Sequence, residues 1–282
     1  MLKTSDYKDQ ILELYYKGLD ANNIAKQLGF KYHQPVYNFL KKHKLNLNKR
    51  VYTSKYSVNK KYFDKIDSSD KAYILGFICA DGYVADNRIK IALASKDVEI
   101  LEKIKYYMKS EHPITKYIAD NPYKKSSRMR LNMVALDICG ITLAKKLRSF
   151  GLTADKTYTL NSSILKHVPK FLHRDFLRGY FDGDGHVTFG SKYSSGTKYN
   201  VHICGNENFL LGTYQKCFPT KNKLSKDKLS KQCFGWRVSS KENVMKFLEY
   251  LYHNSDIRLQ RKYKQYLKAK WSCKTGLIAG NS

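Results

Sequence analysis

Residues 74–82 read ILGFICADG and residues 177–185 read LRGYFDGDG, and the rest of the chain is organised around these two stretches. Each closes on a small residue, an aspartate and a glycine: Ala80, Asp81 and Gly82 in one, Gly183, Asp184 and Gly185 in the other. Ala72, Gly76 and Ala80 recur at four-residue spacing, and so do Gly179 and Gly183. On helices that spacing lines small residues along one face and lets two backbones come nearly into contact. Packed side by side and parallel, the two helices bring their C-termini together, and with them Asp81 and Asp184. Gly82 and Gly185 are expected to stop the helices in the left-handed conformation.

Working outward, the chain repeats itself. SSDKAYILGFICADGYV is followed by RIKIALASKDVEILEKIKYYM, and HRDFLRGYFDGDGHV by YNVHICGNENFLLGTYQKCF. Asp81 and Asp184 hold equivalent places 103 residues apart, too long a period for a solenoid, so a domain has been duplicated. Each copy reads helix, two strands, helix, two strands, helix, an α+β αββαββα unit. Its last helix is expected over residues 136–150 in the first copy and 241–253 in the second. The copies span residues 69–166 and 167–270, with a tail at 271–282. Before them, residues 1–50 read as three short helices, and 51–68 as a basic linker lying along a partner. The helices are expected over 6–17, 21–28 and 34–44, with Gly18 breaking the first and Asp20 capping the second. Ile11, Leu14, Tyr15, Leu19, Ile24, Ala25, Leu28, Val36 and Leu40 recur at intervals of three and four, enough for a small core.

Fifty-two Lys and Arg against 24 Asp and Glu give a formal net charge of +28 in 282 residues. A polyanion relieves such self-repulsion, and nucleic acid is the commonest one. A membrane surface is the competing partner. No apolar run approaches about 18 residues and there is no signal peptide or lipidation motif, which argues against a membrane and against secretion. Six scattered cysteines without a CxxC pair suit a reducing cytosol and exclude a zinc finger or disulfide framework. Any metal should therefore be a hard ion held by oxygen.

Strand alternation gives this charge a surface. In 88–94, Arg88 and Lys90 oppose Ile89, Ile91 and Leu93. In 128–133, Arg128, Arg130 and Asn132 oppose Met129, Leu131 and Met133; in 198–204, Lys198, Asn200 and His202 oppose Tyr199, Val201 and Ile203. With helices on the apolar face, these side chains, together with Ser95 and Arg237, form an open face for double-stranded DNA.

The two opening stretches resemble the LAGLIDADG signature of homing endonucleases, over about residues 69–270. The resemblance implies a pseudo-symmetric β-saddle astride DNA, site-specific double-strand cleavage with short 3′ overhangs, and a role in spreading its own coding element. With both copies in one chain, a monomer reads a long asymmetric site. Two carboxylates at helix C-termini repel each other and the helix dipoles. A cation between them, Mg²⁺ or Mn²⁺, reverses this, so Asp81 and Asp184 are the expected metal ligands. The family's basic residue beside each metal site corresponds to Lys156 and Lys262, which become candidate catalytic residues. Its water-positioning polar residue after the second strand corresponds to Ser95, but to Gly205, with Asn206 next, in the second copy. Cys79 departs from the motif where the second copy has Asp182. Residues 1–50 resemble a helix-turn-helix module whose third helix carries His33, Gln34, Asn38, Lys41 and Lys42 to DNA. A start at Met1 with an added module gives the expectation of a free-standing cytoplasmic protein of a prokaryotic, phage or organellar host. An RNA maturase acting on intron RNA and a non-catalytic DNA-binding regulator are the alternatives left open.

Overall fold

The computed structural model describes residues 2–43, 45, 55–120, 130–154, 156–190, 198–219, 224–226 and 233–275. The chain divides into two compact units, residues 1–55 and 56–282.

The first unit is α1 (Lys8–Tyr16), α2 (Ala21–Gln27) and α3 (Gln34–Lys42). Past α1, Gly18 takes φ +94°, and the next amide, Leu19 N, turns back to the Leu14 carbonyl at 3.0 Å. Asp20 caps α2, its carboxylate accepting from Asn23 N at 2.8 Å. Phe30 joins Ile11, Tyr15, Ile24, Ala25, Val36 and Leu40 in the core; the helical spacing did not include it because it sits in the turn.

The second unit holds both repeats. The first runs α4 (Ser69–Asp81), β1 (Gly82–Val84), β2 (Arg88–Ala94), α5 (Val98–Tyr107), β3 (Ile114–Asp120), β4 (Arg130–Cys139) and α6 (Ile141–Ser149). A single turn, α7 (Lys156–Thr159), leads on to the second: α8 (His173–Asp184), β5 (Gly185–Gly190), β6 (Lys198–Gly205), α9 (Glu207–Leu210), β7 (Ser225–Lys226), β8 (Phe234–Ser239) and α10 (Lys241–Tyr252). A further helix, α11, spans Gln260–Thr275. Each repeat forms a four-stranded antiparallel sheet, ordered β1-β2-β4-β3 and β5-β6-β8-β7.

α4 and α8 form the axis. Residues 72–80 of α4 and 175–182 of α8 are all buried, as a helix enclosed on every side must be. A Cβ on Gly76 would lie 2.0 Å from the Phe176 carbonyl oxygen, and one on Gly179 would lie 2.0 Å from that of Tyr73. The backbones touch, and no larger residue fits at either place.

Several expectations change. Gly82 and Gly185 are extended, with φ −80° and −84°, not left-handed. They are glycines because the chain doubles back tightly: a Cβ would stand 2.6 Å from the Ile78 carbonyl in one case and 2.2 Å from the Phe181 ring in the other. Residues 136–139, expected as helix, belong to β4, where Leu136 pairs with Ile91 and Ile114 in mid-sheet. The run Val134, Ala135 and Leu136 is buried on both faces, which hides the two-residue period. Residues 56–68, read as linker, belong to the large unit: Tyr62, Phe63 and Ile66 are buried, and Tyr62 donates to Asp70 at 2.6 Å. α11, not expected as a helix, crosses the boundary drawn at residue 271. It ties the second repeat to the first, because Glu99 accepts from Gln260 N at 2.8 Å and Arg261 grips Asp97 through two contacts of 3.1 Å. No described helix is long and apolar enough to cross a membrane.

Candidate active site

The parallel crossing of α4 and α8 sets the site. Asp81 and Asp184 are the last residues of their helices, and a Cβ on Gly183 would lie 3.1 Å from an Asp81 carboxylate oxygen. Asp81 is half-buried and Asp184 opens to the surface, yet enough protein surrounds both to disfavour their charged forms. Burial, then Asp184, pushes the Asp81 carboxyl up to about 6. Burial also raises Asp184, while Lys156 and Lys262 act in the opposite direction.

Each helix end also receives a lysine. Lys156, the first residue of α7, donates from Nζ to the carbonyls of Cys79, at 2.7 Å, and Ala80. Lys262, in the first turn of α11, donates to the carbonyls of Phe181, Asp182 and Gly183 at 2.6, 2.8 and 3.2 Å. Both ammonium groups oppose the negative end of a helix dipole. Lys262 is 3% exposed, and burial brings its amine down to about 8 despite Asp182. An ammonium has three hydrogens; carbonyls take all three of those on Lys262 and two of those on Lys156.

The donor set suits a hard cation. Two carboxylates stand together, and among the described residues no group of three or more His, Cys, Asp or Glu gathers anywhere. A cation at Asp81 and Asp184 would complete its shell with water or substrate oxygen, as Mg²⁺ commonly does.

Sequence reasoning missed the polar network behind the pair. Asp182 accepts from Tyr73 Oη at 2.7 Å, Tyr252 Oη at 2.5 Å and Leu259 N at 2.7 Å. Arg178 is fully buried; it pairs with Asp175 at 2.7 Å and donates to the Leu251 and Ile257 carbonyls. The only advance signal was that polar residues occur on a helix that must be enclosed.

The sheet faces differ from expectation in one half. Arg88 and Lys90 are exposed on β2, but Arg88 pairs with Asp137 at 3.1 Å, and Lys90 Nζ lies 5.8 Å from the centre of the Tyr117 ring. Strand register puts Met133 and Asp137 of β4 on that face. Arg130 and Asn132, though exposed, therefore stand on the opposite side of β4, the side of Val134. The alternation was read correctly, but nothing in it says which set continues the face of β2. Ser95 opens a single 3-10 turn after β2. In the second half, Asn200, His202 and Arg237 share one face, joined by His186 and Thr188. Gly205 is the last residue of β6, and Asn206, the first residue after it, caps α9. Arg128 and the Lys198 side chain lie outside the described residues. On α3, Gln34, Asn38 and Lys41 are exposed, and Gln34 Nε2 donates to Asn38 Oδ1 at 3.0 Å.

Two αββαββα repeats joined through glycine-lined helices with an aspartate at each end define a duplicated LAGLIDADG-type domain. A family model described as a LAGLIDADG-like domain matches residues 68–149 and 172–252, and the chain belongs to that family. A point mutant of I-SmaMI is similar in fold, with a TM-score of 0.50 and 13% identity over 74% of this chain and 93% of that one. The LAGLIDADG meganuclease I-AabMI, solved bound to uncleaved DNA, gives 0.47 and 17% over 72% and 91%. The homing endonuclease I-GzeII, in complex with its DNA target, gives 0.49 and 13% over 72% and 89%. No curated protein sequence matches.

Proposed function

We propose that this protein is a site-specific endonuclease of double-stranded DNA that depends on a divalent cation, Mg²⁺ or Mn²⁺, and leaves short 3′ overhangs. The observation that carries this reading is the meeting of Asp81 and Asp184 at the crossing of two helices, with a lysine on each helix end. Asp81 and Asp184 would hold the cation, which when bound supplies charge neutralisation at phosphate and a more acidic water. Lys156 keeps one hydrogen to offer a phosphate oxygen or water. Lys262, with three carbonyl partners, acts through its charge. Arg88, Lys90, Asn200, His202 and Arg237 line the sheet faces offered to the duplex, and α3 gives the tethered first unit a helix for the major groove. Both carboxylates lie in one chain, so a monomer suffices, working in the cytoplasm of its host.

The test is cleavage of a randomised duplex library with Mg²⁺ and with EDTA. One enriched long site, cut only with Mg²⁺, is the expected result. Binding without cutting overturns the nuclease reading and turns the comparison to intron RNA against DNA.

A further inference from the structure

Strand register lets the open faces of the two sheets be matched residue by residue. Gly82 opposes Ile91, which in turn opposes Leu136; Gly185 opposes Ile203, which opposes Trp236. Asp137 and Arg237, each one residue further on, are therefore equivalent, and so are Arg88 and Asn200, three residues back along the middle strands. The first half has Arg88 with Asp137 where the second has Asn200 with Arg237. An acid thus stands on the face of the first sheet at the point where the second sheet carries a cation.

The acid holds the arginine beside it. Arg88 Nη1 donates to Asp137 Oδ2 at 3.1 Å, and both side chains are partly open to solvent. Lys90 stands directly opposite Asp137, but its ammonium lies 5.8 Å from the centre of the Tyr117 ring, and Asp137 makes its ion pair with Arg88. The pair is not there for stability. An ion pair this exposed contributes little. The second oxygen, Asp137 Oδ1, is buried with no hydrogen-bond partner among the described residues, and an unmet buried acceptor is destabilising. Nor does the acid help to grip the duplex, because a carboxylate repels phosphate. What it gives Arg88 is direction: the guanidinium is planar and rigid, so fixing Nη1 fixes where the remaining donors point.

We infer that Asp137 is a positioning residue that holds Arg88 to read a guanine in the half of the target met by the first repeat. The inference rests on the reading of the open sheet faces as the surface offered to the duplex. In the major groove N7 and O6 of guanine accept two N–H groups side by side, which an arginine fork supplies. An unheld arginine serves phosphate and base alike; one pinned by an acid is committed to the base edge. Asn200 and Arg237 present different chemistry at the same two places, so the halves of the target differ there.

The test is selection of bound duplexes from a randomised library, without metal, by the full wild-type chain, Arg88→Ala, Asp137→Ala and the double variant. Melting temperatures serve as the control for folding. Arg88→Ala should weaken a guanine preference at one position about tenfold and leave the other positions as they were. Asp137→Ala should weaken the preference at that same position about fivefold. Its affinity for unselected duplex should meanwhile rise about twofold, because a negative charge leaves the face. In the double variant the loss of Asp137 should add nothing, because the side chain it directed is gone. A merely structural role for Asp137 would lower the melting temperature and all binding together, and that result overturns the inference. So does a guanine preference untouched by Asp137→Ala, or an Arg88→Ala effect at a base other than guanine. A wild-type chain that selects no sequence overturns the duplex-facing reading of the sheets, and this inference with it. Because binding alone is read, failure of the nuclease reading leaves the inference standing.

Discussion

Asp182 and Cys79 occupy the same place on the two crossed helices, three residues before the closing glycine, and meet different neighbours. Asp182 accepts three hydrogen bonds, one of them from Tyr73 on the opposite helix. Cys79 is as deeply buried, and its thiol is pushed up to about 12, mainly by burial. The residue equivalent to Tyr73 is Phe176, so the first half lacks both the acid and the hydroxyl that would meet it. The departure from the motif at Cys79 is thus a matched exchange of a polar pair for an apolar one. The backbone keeps the symmetry at Gly76 and Gly179, where contact forbids change, and the side chains vary in sets that remain internally satisfied. The lysines divide in the same manner, Lys262 sealed by three carbonyls and Lys156 held by two.

The comparison is most strongly tested where the halves should agree. Asp81→Asn and Asp184→Asn should each lower double-strand cleavage on the order of a thousandfold, with DNA affinity in a gel-shift assay nearly unchanged. Cleavage at the wild-type rate in both would break the assignment. The lysines should then separate the halves. Lys262→Met leaves Asp182 buried without its cation and should cost about 3 kcal/mol in a denaturant melt, whereas Lys156→Met should cost about 1 kcal/mol. Equal costs would mean that the two helix ends are equivalent after all. Cys79→Asp buries a carboxylate opposite Phe176 and should cost about 2–3 kcal/mol, part of which returns in the double variant with Phe176→Tyr. No recovery would show that the matched exchange is not the reason for Cys79.

The smallest effect concerns Asp81 itself. Its folded carboxyl titrates near 6, above the ordinary value of 3.8. Without metal, the folded state favours the protonated form, a stabilisation fully present below about pH 4 and lost as pH rises through about 6. Asp81→Asn should therefore stabilise the metal-free protein by about 1 kcal/mol at pH 7, after discounting for solvent screening, and by nothing near pH 3. Thermal melts at the two pH values check this.

Much of this arrangement was legible in the sequence. The helix pair, the duplication and the meeting of Asp81 with Asp184 follow from glycine spacing, because a backbone contact allows few residue types. The β2 strand is legible because one of its faces is wet, while the end of β4 is not, being apolar on both. Arg130 and Asn132 were assigned to the wrong face because register is a property of two strands and not of one. α11 escaped because its buried side chains, among them Tyr266 and Ala269, are diluted by lysines on the other faces. The three carbonyls around Lys262 leave no trace in sequence, since every residue supplies a carbonyl.

The strap formed by α11 has a consequence for synthesis. A chain leaves the ribosome from its N-terminus, so both aspartates and Lys156 emerge well before Lys262. Until α11 is made, Glu99 and Asp97 wait without Gln260 and Arg261, and the end of α8 lacks its cation. Closing the last helix over the first repeat completes the charge balance at the helix crossing in the same step. The acids of the crossing are thus made early, and the last of the groups that offset them, Lys262, is supplied only near the end of synthesis.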